Sequence, residues 1–327
     1  MISYIKTELM KEKRSANLKL GIIVPIIFVL FNIAMVSLMG ESPEGKSYIL
    51  ATSFNWYPLL ILPIVSSLLV VNINGKEKSE HIVLQKSKNL SSIKIELAKN
   101  IIIVAELFII LLISTILIFT VAIFFLDEKI LLSQLIIATF CLFVGSLPIV
   151  ALSFLIYGLT KKKAVLILLN FVLTFPSAVI AVTKNWILFP WSYNLRMLSP
   201  VVGVHPNGTF LETGSKLMNM DATYLGLFLS IAVYVVVLIL SLLINNAHPE
   251  SLETGEFTKD VYARMRLQHF EFAKLNPKRA KEVVAALYDI FKQSIIHSRE
   301  TNVITYDLIL FISYLMGKNG LLDSYSK

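Results

Sequence analysis

One cysteine, Cys141, is all the thiol that 327 residues carry. A lone cysteine inside an apolar stretch forms no disulfide framework and no thiolate metal site. Histidine is nearly as scarce. His81, His205, His248, His269 and His297 are scattered and pair with nothing at metal-ligand spacing. HExxH, CxxC and GxSxG signatures are missing. No catalytic residue, metal ligand or directly bound cofactor is assigned on this basis. No phosphate loop is expected either, so a role driven by nucleotide hydrolysis requires an ATPase, with its ATP and Mg, on a separate polypeptide. Charge is also sparse, at 16% of residues. No cleavable signal peptide is read, because the first apolar run is too long for an h-region and lacks a small-x-small step. No internal repeat is evident.

What fills the space is apolar. Hydrophobic residues make up 56% of the chain, and the mean hydropathy is +0.72. That is too greasy for one soluble domain and suits a polytopic membrane protein. Six long apolar runs cover about 18–39, 55–72, 101–126, 131–159, 164–183 and 223–245. Each reaches or approaches the roughly 20 residues that cross a hydrocarbon core about 30 Å thick. None shows the period-2 alternation of a barrel strand, so all are read as helices. Pro58 and Pro63 leave the ends of the second run open.

The basic residues order these runs. Five lie at or before the start of the first run, the fifth being Lys19. Then one, six, one, three and three fall in the successive connections, and eleven in the tail. The alternation is a positive-inside pattern with an even number of spans and both termini in the cytoplasm of a bacterial cell. The net charge of +8 then sets topology and meets anionic lipid heads. No aromatic-interleaved basic motif supports a nucleic-acid partner.

Within 1–17, Ile2, Ile5 and Leu9 recur at helical spacing, with Lys6, Lys11, Lys13 and Arg14 mostly elsewhere. This predicts a short cytoplasmic interfacial helix. The connection 40–54, with Glu41, Pro43, Glu44 and Gly45, is external. Segment 73–100 is internal, with a turn at Asn74-Gly75 and a helix start at Ser91-Ser92. Asp127, Glu128 and Lys129 make a tight external turn, and Lys161, Lys162 and Lys163 a tight internal one. In the external segment 184–222, Trp186, Trp191 and Tyr193 suit an aromatic belt. The part up to about Val204 is expected to lie on the outer surface or to re-enter slightly, and His205 to Gly208 form a turn. Residues 246–327 are polar and helical in pattern. Asn276-Pro277 starts a helix with Val284, Leu287, Tyr288, Phe291 and Ile295 on one face, and Leu308 to Met316 ends at Gly317. The fold class is therefore an all-α polytopic membrane protein with an interfacial N-terminal helix (1–17), a six-helix domain (18–245) and a small cytoplasmic helical extension (246–327).

Polar groups inside the runs are few. Glu106 lies about 10 Å along the third helix from Lys99 at roughly 1.5 Å per residue. It reads either as an inward-facing contact near the cytoplasmic mouth or as a partly hydrated carboxylate at the helix entrance. Asn32 and Asn170 read as inter-helix glue rather than ligands. Pro25, Pro148 and Pro176 mark kinks. So few charges do not suit a proton relay or an ion-selective pore, and they point to an amphiphilic partner.

Two stretches carry a resemblance. TELMKEKRSANLKLGIIVP resembles the start of bacterial permeases of the type 2 ABC transporter class. NGKEKSEHIVLQKSKNLSSIKIELAKNI resembles that class's loop between spans two and three, on Glu77, Lys78 and Glu80, then Leu84, Ser87, Ser91 and Ser92, then Ala98 and Lys99. In size, and in Pro190-Trp191-Ser192-Tyr193 before the sixth span, residues 1–245 look most like lantibiotic-immunity permease subunits. The tail departs from that pattern; its end faintly resembles small helical bacteriocin immunity proteins. The resemblance implies a non-enzymatic transport subunit that pairs with a second permease, as homo- or heterodimer, and with an ABC ATPase subunit. It implies coupling to the ATPase through Glu77, Glu80, Ile93, Lys94, Glu96, Leu97 and Lys99, with Ile95 as a further apolar anchor. It also implies export of an amphiphilic peptide cargo out of the membrane, with Trp186, Trp191, Tyr193 and Arg196 as external contacts. A permease for another hydrophobic cargo, such as a drug, lipid or polymer, and a non-transporting immunity or scaffold protein stay open.

Overall fold

The computed structural model describes residues 1–247, except Arg14, Glu44, residues 78–84 and 86–89, Asp127 and Lys129. The features expected beyond Ala247, from Asn276-Pro277 to Gly317, lie outside the described residues, as do Lys78, Glu80, Leu84 and Ser87.

The described chain is mostly helical and has no strand. In order, α1 is Ile2–Glu12, α2 Ala16–Met39, α3 Tyr48–Trp56, α4 Leu62–Asn74, α5 Ser92–Phe124, α6 Leu132–Thr160, α7 Lys163–Thr174, α8 Ser177–Ile180, α9 Tyr193–Val202 and α10 Asp221–Ala247. Among the described residues, six stretches are long and apolar enough to cross a membrane: Ala16–Met39, Tyr48–Asn74, Ser92–Phe124, Leu132–Thr160, Lys163–Ile180 and Asp221–Ile244.

The ends of three stretches differ from expectation, each for a local reason. The second begins at Tyr48, within the connection expected at 40–54. Ser47 caps it by accepting from the Leu50 N–H at 3.0 Å. A π-helical turn, Tyr57–Ile61, then carries it past Pro58 and Pro63. Each proline removes a donor from the helical ladder, and the wider turn absorbs the mismatch without ending the helix. The third begins at Ser92 rather than near 101, capped by the Ser91 hydroxyl accepting from Lys94 N at 3.4 Å. The helix start was expected, but a short separate helix is not what forms. Nothing between Ser92 and Phe124 breaks the helix, which runs 33 residues, or about 50 Å at 1.5 Å per residue. The fifth is interrupted at Phe175-Pro176 and stops at Ile180. Pro25 and Pro148, by contrast, lie inside unbroken helices.

The second and fourth stretches are the most enclosed. α10 and α9 pack along α6, α2 along α5, and α7 against α4. Outward faces are apolar: Ile22, Ile26 and Leu30 on α2, Leu112 and Ile116 on α5, and Phe228, Ile239 and Leu243 on α10 are exposed. Patches of this extent on a chain in water drive association, whereas in hydrocarbon they cost nothing.

The bundle has two distinct ends. At one, Glu12 pairs with Lys76, and a Cβ on Gly75 would lie 3.7 Å from Lys163 Nζ. α1, segment 75–77, the start of α5 and the Lys161–Lys163 turn therefore share this basic end. At the other, Asn55 donates to the carbonyls of His205 and Pro206 at 3.3 and 3.0 Å. There too, Ser42 and Ser47 donate to Glu128.

Between Ile180 and α9 the chain re-enters the bundle. The 3-10 turns Lys184–Leu188 and Pro190–Ser192 lead into α9. Asn194 at its start donates to Ser146 Oγ at 3.4 Å, while Gln134 donates to the Val201 carbonyl near its end at 2.8 Å. Ser146 and Gln134 are about 18 Å apart along α6. α9 therefore climbs from inside the bundle toward the end opposite the lysines.

Candidate functional site

The densest polar cluster lies at the basic end, where α1, segment 74–77 and α5 meet. Lys99 donates to Glu77 at 2.6 Å and to Asn74 Oδ1 at 3.2 Å. Lys11 bridges Glu8 at 2.6 Å and Glu77 at 3.5 Å, and Gln85 donates to Glu77 at 3.2 Å. Burial alone would raise the Glu77 carboxyl. The charge and hydrogen bond of Lys99, the Gln85 amide and Lys11 outweigh it and hold the group below the usual carboxylate range.

α1 is built for this contact. Glu8 and Glu12, at i and i+4, are its buried face, while Ile2, Leu9 and Met10 are exposed. Tyr4 accepts a hydrogen bond from the Ser91 N–H at 3.4 Å, and Lys94 Nζ sits 5.9 Å from its ring centroid. The helix thus turns its acids toward α5 and its apolar stripe outward.

Glu106 is held from α2. Asn17 donates to its carboxylate at 2.8 Å and to the Leu69 carbonyl at 3.3 Å, and accepts from Asn72 at 3.0 Å. Glu106 itself is half-buried, so Asn17 ties this part of α5 to the start of α2. On α5, Tyr234 donates to Asn100 and Ser241 donates to Glu96 at 3.1 Å. α10 is thereby fastened to the projecting part of α5.

The residues expected to form one docking face divide. Ile93 and Lys94 are exposed and Leu97 is half-buried. Ile95 is buried, Lys99 and Glu77 are paired inside, and Glu96 faces α10. Glu80 lies outside the described residues. A single exposed surface made of all of them is therefore corrected: helical periodicity turns every third or fourth residue of this segment inward.

The buried amides also separate. Asn170 donates to Ser67 and Ser153, both at 2.8 Å, and joins α7 to α4 and α6. Asn32 donates to the Phe28 carbonyl of its own helix at 2.8 Å, so it is not inter-helix glue.

Trp186, Trp191 and Tyr193 do not form an exposed belt. Trp186 and Tyr193 meet edge-to-face at 5.9 Å, and all three are buried by the packing of α9 against α6 and α10. Tyr193 donates to the Ile187 carbonyl at 2.6 Å. The exposed apolar groups of this region include Phe175, Val179, Val182, Ile187 and Leu188. Arg196 is half-buried on α9, and its Nη1 has no hydrogen-bond partner.

The expected lack of any phosphate-loop pattern is corrected by the residues themselves: Gly40 to Ser47 read GESPEGKS. The pattern carries its chemistry only between a strand and a helix. Here α2 precedes it, Ser47 donates to Glu128, and the Ile49 N–H reaches the same carboxylate at 3.4 Å. The chain's own Glu128 carboxylate thus takes the donors at the end of this segment, and Lys46 lies over the Phe210 ring at 4.9 Å.

Among the described residues, no three His, Cys, Asp or Glu side chains are grouped to hold a metal ion. The sequence reading missed Tyr4, Glu8, Glu12, Asn17, Asn72, Asn74, Lys76, Asn100 and Tyr234. The i, i+4 spacing of Glu8 and Glu12 opposite an apolar stripe is the one signal that points toward α1 docking on protein.

Compared with known proteins, the chain matches no family model, no curated protein and no solved structure.

Proposed function

We propose that the chain is the membrane permease subunit of an ATP-driven exporter of the type 2 ABC class, with its basic end toward the cytoplasm. It works with a separate ATPase and a second permease subunit. The observation that carries this reading is α5. One unbroken helix begins with exposed Ile93 and Lys94, is clamped to α1 and segment 74–77 through Lys99 and Glu77, and continues to Phe124. A push on its exposed start has no flexible joint in which to dissipate. The described residues of the two sequence stretches resembling that transporter class lie in this assembly, which also supports the reading.

The cargo is an amphiphile taken from the bilayer, and the resemblance favours a lantibiotic. It meets Val179, Val182 and Leu188, which are exposed, rather than Trp186 and Trp191, which hold α9 in place. The test is affinity purification of the tagged chain from its native cell. An ATP-hydrolysing polypeptide is expected to accompany it, with hydrolysis responding to added lantibiotic. Ile93→Asp is expected to lose that polypeptide while membrane insertion is unchanged. A chain that purifies without any ATPase, or an Ile93→Asp variant that retains it in full, overturns the coupling role.

A further inference from the structure

The re-entrant helix α9 carries a cation, Arg196, whose Nη1 has no hydrogen-bond partner among the described residues. The residues around Arg196 divide by helical period. Asn194 and Met197 face Gly145 of α6. Leu195, Leu198, Ser199 and Val202 close on Phe54, Asn55, Val204 and Pro206. Arg196 and Pro200, one turn apart, are the half-buried positions on the remaining side. No ion pair among the described residues includes Arg196. Among the described acids at that end, Glu128 accepts from Ser42 and Ser47, Asp221 accepts from Asn219 at 3.0 Å, and neither Glu41 nor Glu212 forms an ion pair with Arg196.

Depth makes this arrangement costly. Asn194 meets Ser146, and Thr160 at the basic end of α6 is about 21 Å further along that helix. A hydrocarbon layer about 30 Å thick measured from the basic end extends past Asn194 and takes in Arg196 two residues later. A guanidinium in the outer part of that layer, with its Nη1 unpartnered among the described residues, favours an anionic ligand over bare hydrocarbon.

We propose that Arg196 binds a phosphate-type oxyanion on an amphiphile that enters from the outer part of the bilayer. The guanidinium presents parallel donors to such a group. Beside it, Thr223 of α10 donates to the Met197 carbonyl at 2.8 Å, which sets the start of α10 against α9. That part of α10 exposes Tyr224, Leu225 and Phe228, an apolar wall for the attached hydrocarbon. The proposal rests on the membrane reading but not on the ATPase partner, so its test contains no ATPase.

The purified full chain in a neutral detergent is titrated with phosphatidylglycerol, with phosphatidylcholine and with inorganic phosphate, and binding is followed by thermal stabilisation and native mass spectrometry. Phosphatidylglycerol is expected to bind saturably, about tenfold more weakly to Arg196→Gln, since one charge-assisted contact is lost. Arg196→Lys keeps an intermediate affinity because it retains the charge without the fork. Lys216→Gln, on a nearby turn, leaves binding unchanged. An Arg196-dependent response to phosphatidylcholine as well assigns the lipid phosphate as the recognised group, and one to inorganic phosphate assigns the free anion. Equal phosphatidylglycerol affinity in wild type and Arg196→Gln overturns the proposal. Where Arg196→Gln does not accumulate, phenylglyoxal labelling of the wild type decides. Protection of Arg196 by phosphatidylglycerol is expected, and unprotected labelling at saturating lipid overturns the site.

Discussion

Gly145 shows how a single hydrogen in place of a side chain holds α9 inside the bundle. A Cβ there would lie 2.0 Å from Asn194 Oδ1 and 2.5 Å from Met197 Cε, both on fully buried side chains. Gly145→Ala is expected to destabilise the protein by about 1–3 kcal/mol through overpacking, read as a lower thermal midpoint in detergent. Gly21→Ala, where nothing lies within 4 Å, is the comparison without a clash, expected to stabilise by up to about 1 kcal/mol through helix propensity. Glu77 gives a pH signature. Its folded carboxyl lies below the usual range, so the stabilisation is fully present above the ordinary value of about 4.3 and fades as pH falls through the lower folded value. Protease resistance of the α1–α5 contact is expected to drop in that acid window in wild type, and Glu77→Gln is expected to abolish the pH dependence. At this scale the sequence revealed residue types but not their partners. Asn170 and Asn32 look alike along the chain, yet one bridges three helices and the other bonds its own turn. The difference lies in which helix happens to face each amide.

Among the elements, α5 joins a polar start to an apolar body. Ala98→Pro would remove a ladder bond and clash with the preceding turn, at a cost of about 3 kcal/mol or more. Under the coupling proposal it is expected to uncouple ATP hydrolysis from cargo movement while the chain still inserts; unaltered coupling, measured as transport per ATP, counts against a rigid α5. The pair Lys99–Glu77 that clamps this helix has side chains only 6% and 14% exposed. Lys99→Met leaves Glu77 with only Lys11 at 3.5 Å and the Gln85 amide, so it is expected to cost about 1–3 kcal/mol, and Lys99→Met with Glu77→Gln less than the sum of the two. Non-additivity of thermal midpoints in a double-mutant cycle checks this. The apolar runs and the cap at Ser91 could be read from sequence. The continuity of α5 and the early start of the second span could not. Hydropathy locates the greasy core of a helix, whereas helix length also depends on caps and on polar turns that remain helical because they pack on protein.

For the molecule as a whole, the two ends define a topology that can be tested directly. Cys141 is the native thiol and is buried. Lys161→Cys and Asn207→Cys, both at exposed positions on opposite ends, are expected to react with a membrane-impermeant maleimide from opposite sides of the membrane, Asn207→Cys from outside intact cells. Labelling of both from one side overturns the six-span threading.

Composition and the spacing of lysines were enough, by themselves, to determine that this chain is a multi-helix body with six membrane-length stretches. Hydrophobic burial is additive along a segment and needs no knowledge of neighbours. Only the tertiary structure decided that α1 turns its acids onto α5, that the tryptophans are packed rather than displayed, and that Arg196 Nη1 has no partner among the described residues. Those outcomes depend on which distant side chains reach within hydrogen-bonding distance, and charge or polarity in one dimension does not encode that distance.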